Sequence, residues 1–240
     1  MTAAGNPPVE VPMTPPPDMA GHALLTGGVT DANGGVVAGA TIVVAETDGA
    51  AMTDVGGAYQ LSVPSDSTVT LVTSATGFAT TYRESVILAQ ESAAAGFDVL
   101  LLPPDQITAL NSLAVTPDRA PTLGLMAVRL HSLNSNCATV GAHLTVWPPL
   151  AATVMYSRPS TSGSLDEPDP TVDGVQAGGH VDAWLVGVMV PGNQLTISLD
   201  QPHCQLLGSS PSLNGLVYPG LRRSDAQALT LIDLFLDQGP

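Results

Sequence analysis

Four carboxylates, Asp166, Glu167, Asp169 and Asp173, fall within the single stretch from Leu165 to Gly174. Hard oxygen ligands at that density suit calcium. Their spacing departs from the helix–loop–helix calcium motif, and Pro168 and Pro170 restrict the backbone further. Two expectations therefore stand side by side: a calcium site on these four residues, or an acidic loop turned to solvent. Asp31, Asn33 and Gly34 also begin like a calcium loop. Asn-Gly and Gly-Gly are hairpin residues because they tolerate positive φ, so a turn is the expectation there.

Softer chemistry finds less support. His131, His143, His180 and His203 share the second half of the chain with Cys137 and Cys204, but no pair has the His-x-x-x-His or Cys-x-x-Cys spacing of a zinc or redox site. A single Cys137–Cys204 disulfide is the economical reading, with two buried free thiols as its alternative. For hydrolysis, no Gly-x-Ser-x-Gly elbow occurs, and the serines of 160–164 and 209–212 sit among Gly and Pro as loop residues. Carboxylate pairs are common in any acidic chain and mean little without a cleft. An enzyme is not expected, and no cofactor other than calcium. Of the two tryptophans, Trp184 falls mid-strand and reads as core, whereas Trp147, beside Pro148-Pro149 at a strand end, is the one platform on which a sugar could stack.

Charge narrows the partners. The net charge is −15, all six basic residues are arginine, and lysine is absent. Phosphate backbones and anionic membranes need clustered cations, so neither nucleic acid nor an acidic lipid surface is an expected partner. Charged residues are only 11% of the chain, so its surface must lean on Ser, Thr, Asn and Gln, as in many secreted β proteins. No apolar run approaches the roughly 18–20 residues of a membrane-spanning helix. Met1 leads into a polar, proline-rich run, so if the protein is exported its signal peptide is absent from this sequence.

Residues 1–22 carry six prolines and almost no periodic hydrophobicity, which predicts a disordered linker stiffened near Pro15 to Pro17. Short β-branched runs then alternate with turn signals. Strands are expected near Ala23–Thr30, Thr41–Glu46, Tyr59–Val63, Thr68–Ser74, Ser85–Leu88 and Gly96–Leu102, with a helical turn over 89–95.

The order Gly28, Val29, Asp31, Gly34, Gly39-Ala40, Thr53-Asp54, Gly57, Tyr59, Leu61, Val63-Pro64 and Gly77-Phe78 resembles a carboxypeptidase regulatory-like domain of the transthyretin-like group. The resemblance is clear for 23–102. It implies a Greek-key sandwich, an accessory module of exported proteins with no active site of its own. Related pilin-type repeats crosslink a lysine to Asn or Asp, a bond this lysine-free chain cannot form.

Residues 105–240 repeat the plan loosely. Leu195, Ile197 and Leu199 after Val190-Pro191 echo Val69 and Leu71 after Val63-Pro64, and Ala228–Leu236 echoes 96–102. The expectation is an all-β chain: a Pro-rich linker (1–22), a regulatory-like sandwich (23–104) and a second, divergent transthyretin-like sandwich (105–240) holding the disulfide. Its expected function is a non-catalytic structural or adhesive module of an exported bacterial cell-envelope protein, located outside the cytoplasm and meeting a surface protein or polysaccharide. Carbohydrate binding, or an accessory role in a larger secreted enzyme, are the alternatives.

Overall fold

The computed structural model describes residues 21–45, 47–64, 68–86, 93–94, 96–149, 152–160, 165–189, 195–201, 203–206, 216–217 and 226–238. The expected linker up to residue 20, residues 89–92 of the expected helical turn and the 209–212 loop lie outside them. The first half forms β1 (His22–Asp31), β2 (Thr41–Val44), β3 (Ala50–Met52), β4 (Ala58–Pro64), β5 (Thr68–Ser74), β6 (Thr81–Val86), β7 (Ala93–Ala94) and β8 (Val99–Leu101). The second half opens with helix α1 (Pro104–Asn111) and a 3-10 turn (Ala120–Thr122). It continues with β9 (Gly124–Ser132), β10 (His143–Trp147), β11 (Thr153–Ser157), β12 (Pro168–Asp169), β13 (Ala183–Val188), β14 (Thr196–Asp200), β15 (Cys204–Leu206), β16 (Leu216–Val217) and β17 (Leu229–Gln238).

Local chemistry accounts for most of these elements. In β4, Tyr59, Leu61 and Val63 are buried while Gln60 and Ser62 face solvent, the period-two pattern of a half-buried strand. The turn before it is closed by Asp54, whose Oδ1 accepts the N–H groups of Gly56 (2.8 Å) and Ala58 (2.9 Å). Two expectations need correction, and one element is new. The sixth strand starts at Thr81 rather than Ser85. The alanine-rich stretch is strand at Ala93–Ala94, paired parallel to Leu24–Leu25, because helix propensity yields to an available backbone partner. The Pro103-Pro104-Asp105 connector starts α1, since proline at a first helical position lacks only an N–H that would go unpaired there.

Three sheets result. A small one runs β4-β1-β7 with β8 also on β1; another runs β10-β14-β16; the long one runs β12-β11-β13-β9-β17-β6-β5-β2-β3. The last strand makes the long sheet continuous. β17 lies parallel to β9 from Leu229↔Leu125 to Leu236↔Ser132, and parallel to β6 from Leu229↔Thr81 to Ile232↔Glu84. Two hydrophobic cores are present, and both draw on this sheet.

Alternation along the shared strands assigns residues to the two cores. Leu125, Ala127, Trp184, Val186, Leu229 and Leu231 pack with the first half's Leu25, Ile42, Leu61 and Leu71. Met126, Val128, Leu130, Leu185, Ile232, Leu234 and Leu236 pack with Leu144 and Ile197 of the other small sheet and with Leu195 just before β14. Strands covered on both faces read as unbroken apolar runs. Helix α1 is pinned beside them by Asn111, which donates to Leu123 O (3.1 Å) and accepts the Gly187 N–H (2.9 Å).

Candidate functional site

The face of β6, β17 and β9 that packs on the first core ends in a row of charges. Arg83, Asp233, Arg129 and His131 follow Thr81, Leu231, Ala127 and Leu125 at period-two positions, so the same alternation that builds the core delivers them to its rim. Arg83 donates to Asp233 Oδ2 from Nη2 (2.7 Å) and Nε (3.1 Å), and to the carbonyl of Asp98 from Nη1 (2.6 Å). Its guanidinium also lies over the Phe97 ring, 4.9 Å from the centroid. Asp233 Oδ1 meets His131 Nε2 at 2.8 Å. Burial alone would raise the Asp233 pKa, but the His131 hydrogen bond and the Arg83 charge outweigh it and hold the carboxyl at about 2. Asp182, beside this row, is shifted the other way by burial even though its Oδ2 accepts the Leu130 N–H.

Arg129 is different. Its Nε is buried with no hydrogen-bond partner, and burial followed by repulsion from Arg83 lowers its pKa. It lines a cavity of about 480 Å³ at the seam of the two halves, together with Asp31, Asp98, Leu100, Leu165, Asp166 and His180. The seam is closed by the Leu165 N–H donating to Ala32 O at 2.8 Å, which docks the long β11–β13 connection on the β1–β2 turn.

The four expected calcium ligands do not converge. Asp166 is buried and spent on backbone: Oδ1 accepts the Ser160 N–H (2.6 Å), Oδ2 accepts the N–H groups of His180 and Val181, and its carbonyl accepts Trp184 Nε1–H (2.9 Å). Asp169 pairs with Arg158 at 2.6 Å and takes both Thr171 donors. Asp173 lies exposed, 3.5 Å from His143 Nδ1, and Glu167 lines a shallow pocket with Arg158 and Pro168. Among the described residues, no three His, Cys, Asp or Glu side chains are grouped to hold a metal. The physical reason is that Asp166 and Asp169 are used to terminate backbone N–H groups, while Asp173 faces solvent. The Asp31 turn behaves likewise, with Oδ1 accepting from Asn33 and Gly35, both at 2.8 Å.

Cys137 and Cys204 are bonded, with Cα atoms 5.6 Å apart, tying the β9–β10 connection to β15. Trp184 is fully buried, whereas Trp147 ends β10 at 66% exposure. A second exposed apolar group lies on the first half, where Val36, Met52 and Val55 are 59%, 66% and 94% exposed. Val36 and Val55 sit on neighbouring loops and Met52 ends β3: Val36 lies against Gly57, and Thr53 donates to Val37 O (2.7 Å) between them. Their signal in the sequence was valine and methionine within segments otherwise made of Gly, Ala and Asp. The charged row was announced by Asp233 inside ALTLIDLFL and by Arg129 inside GLMAVRLHS.

The architecture is that of an all-β sandwich protein. Residues 25–108 match the family model of the CarboxypepD_reg-like domain, and this part of the chain is similar to that domain. No curated protein matches the chain. Among solved structures, an N-terminal interface mutant of a type II cohesin–X-dockerin complex from Acetivibrio cellulolyticus is similar at 16% identity over 34% of this chain and 58% of that one, with a TM-score of 0.28. The Bacillus anthracis TIE protein is similar at 9% identity over 90% of this chain and 34% of that one, TM-score 0.30. GBS52, the minor pilin of Streptococcus agalactiae, is similar at 7% identity over 90% of this chain and 96% of that one, TM-score 0.29. Likeness at this level carries no conclusion about function. No helix among the described residues is long and apolar enough to cross a membrane.

Proposed function

We propose that this chain is a non-catalytic interaction or adhesive module of an exported bacterial cell-envelope protein, and that Val36, Met52 and Val55 of its regulatory-like half form the contact surface. The observation that carries this reading is the exposure of these three large apolar side chains, at the end of β3 and on the loops beside it, where solvent contact is unfavourable until a partner covers them. Two further features support it. Asp31, Asp54 and Asp166 are committed to holding turns. The Cys137–Cys204 bond suits an oxidising compartment outside the cytoplasm.

A photo-crosslinking residue placed at position 55 in producing cells tests the reading. It predicts an adduct with an envelope component, lost in Met52→Asp, whose thermal unfolding stays native. A cytosolic product, or no adduct from position 55, overturns it. Trp147 favours a second reading, saccharide binding, because a two-thirds-exposed indole at a strand end offers a stacking face. A glycan array comparing the native protein with Trp147→Ala separates the two: sugar binding lost on substitution favours this second reading, and no native binding removes it.

A further inference from the structure

We propose that the cavity at the seam of the two halves binds a small monocarboxylate carrying a hydrogen-bond donor beside its carboxylate, an α-hydroxy or α-amino acid, with Arg129 as the anchor. This site is separate from the exposed Val36, Met52 and Val55 and does not depend on their role.

The argument starts from Arg129. Its neighbour Arg83 makes four hydrogen bonds, two of them to Asp233. Arg129, among the described residues, has a buried Nε with no hydrogen-bond partner, and yet it lines an open space of about 480 Å³. A guanidinium presents a planar fork of donors that matches a carboxylate bidentately, and withdrawn from water it gains most from such an acceptor. Asp233 does not supply one, because its oxygens are taken up by Arg83 and His131.

The rest of the lining selects among anions. Asp31, Asp98 and Asp166 place three carboxylates around the same space, which disfavours a dianion such as phosphate. Asp166 is saturated by backbone N–H groups. Among the described residues, Asp31 and Asp98 each use only Oδ1, for the N–H groups of Asn33 and Gly35 and of Gly28 respectively, which leaves an Oδ2 to accept from a ligand hydroxyl or ammonium. One donor fork and two open acceptors in one cavity are complementary to a carboxylate with an adjacent donor. Leu100, Leu165 and Val181 supply apolar wall for its carbon skeleton.

Titration of the full chain with lactate, alanine, propionate and inorganic phosphate tests this, read by the ¹⁵N resonances of the arginine side chains and by thermal unfolding. Lactate or alanine is expected to saturate at millimolar concentration and to move the Arg129 Nε signal, with propionate and phosphate at least tenfold weaker. Arg129→Met should lose at least tenfold in affinity while unfolding no earlier than the native protein. The Arg129 signal makes the test independent of whether that variant folds. No saturable binding of lactate or alanine, equal binding of propionate, a preference for phosphate, a stationary Arg129 signal, or unchanged affinity in Arg129→Met would each overturn the proposal.

Discussion

Asp233 on the last strand accepts two hydrogen bonds from Arg83 on β6 through one oxygen, at 2.7 and 3.1 Å, and its other oxygen meets His131 of β9 at 2.8 Å. The contact ties the C-terminal strand to both halves of the chain at once, with both charged side chains about 95% shielded from solvent. Breaking one partner of such a pair strands the other as an uncompensated buried charge, which costs about 3–5 kcal/mol. Arg83→Met should therefore lower the denaturant midpoint strongly, and Arg83→Met combined with Asp233→Leu should recover most of the loss. A single variant as stable as the native protein would contradict this account.

The same carboxylate sets an acid dependence. Its folded pKa of about 2 lies below its ordinary value of 3.8, so the native state binds the proton more weakly than the unfolded state. The resulting stability is fully present above about pH 4 and is lost as pH falls toward about 2, amounting to roughly 2 kcal/mol. Chemical denaturation of the native protein and of Asp233→Asn should show a gap near neutrality that closes across that interval. A gap that does not change with pH would rule out this origin.

Arg129 provides the contrast. It shares the charged row with Arg83, but among the described residues its Nε has no hydrogen-bond partner, and burial, the largest influence on it, outweighs the attraction of Asp233, Asp98 and Asp182. Arg129→Met is predicted to leave thermal stability unchanged or raise it by about 1 kcal/mol, through relief of desolvation and of repulsion from Arg83. Calorimetry of the two arginine variants side by side measures the difference; an equal loss in both would refute it.

Reduction of Cys137–Cys204 opens a loop of sequence separation 67. Loop-closure entropy predicts a loss of about 4 kcal/mol, and the Cys137→Ala/Cys204→Ala variant should match the reduced protein in an unfolding titration. Loss in the first core should be secondary, because both cysteines lie with the second one.

Glycine at position 27 permits a close backbone approach. A Cβ there would stand 2.3 Å from the carbonyl oxygen of Phe97, which also accepts the Tyr59 hydroxyl at 2.6 Å. Gly27→Ala must displace backbone and should cost about 3 kcal/mol or more. At Gly28 the nearest atom to a Cβ is Asp98 Oδ1 at 3.6 Å, ordinary contact, so Gly28→Ala should cost under about 1 kcal/mol. Matched unfolding curves of the two variants check the asymmetry.

The sequence was most legible where one strand face meets water. Tyr59, Leu61 and Val63 alternate with Gln60 and Ser62, and the Asp54 turn before them needs only its own neighbours, so β4 and its turn follow from local chemistry. The acidic loop was not legible: its composition suggested ligands, while Asp166 in fact folds inward to hold the N–H groups of His180 and Val181, residues about fourteen positions away.

By itself, then, the sequence determined the all-β class, the resemblance of residues 23–102 to a regulatory-like domain and the turns that shape it, because those rest on period-two burial and on side chains that bond within a few residues. Tertiary structure alone decided that β17 enters between β9 and β6, that two cores share one sheet, and that Arg83, Asp233, Arg129 and His131 form a row. The partners there are separated by up to 150 positions, and a strand buried on both faces shows no alternation from which its neighbours could be read.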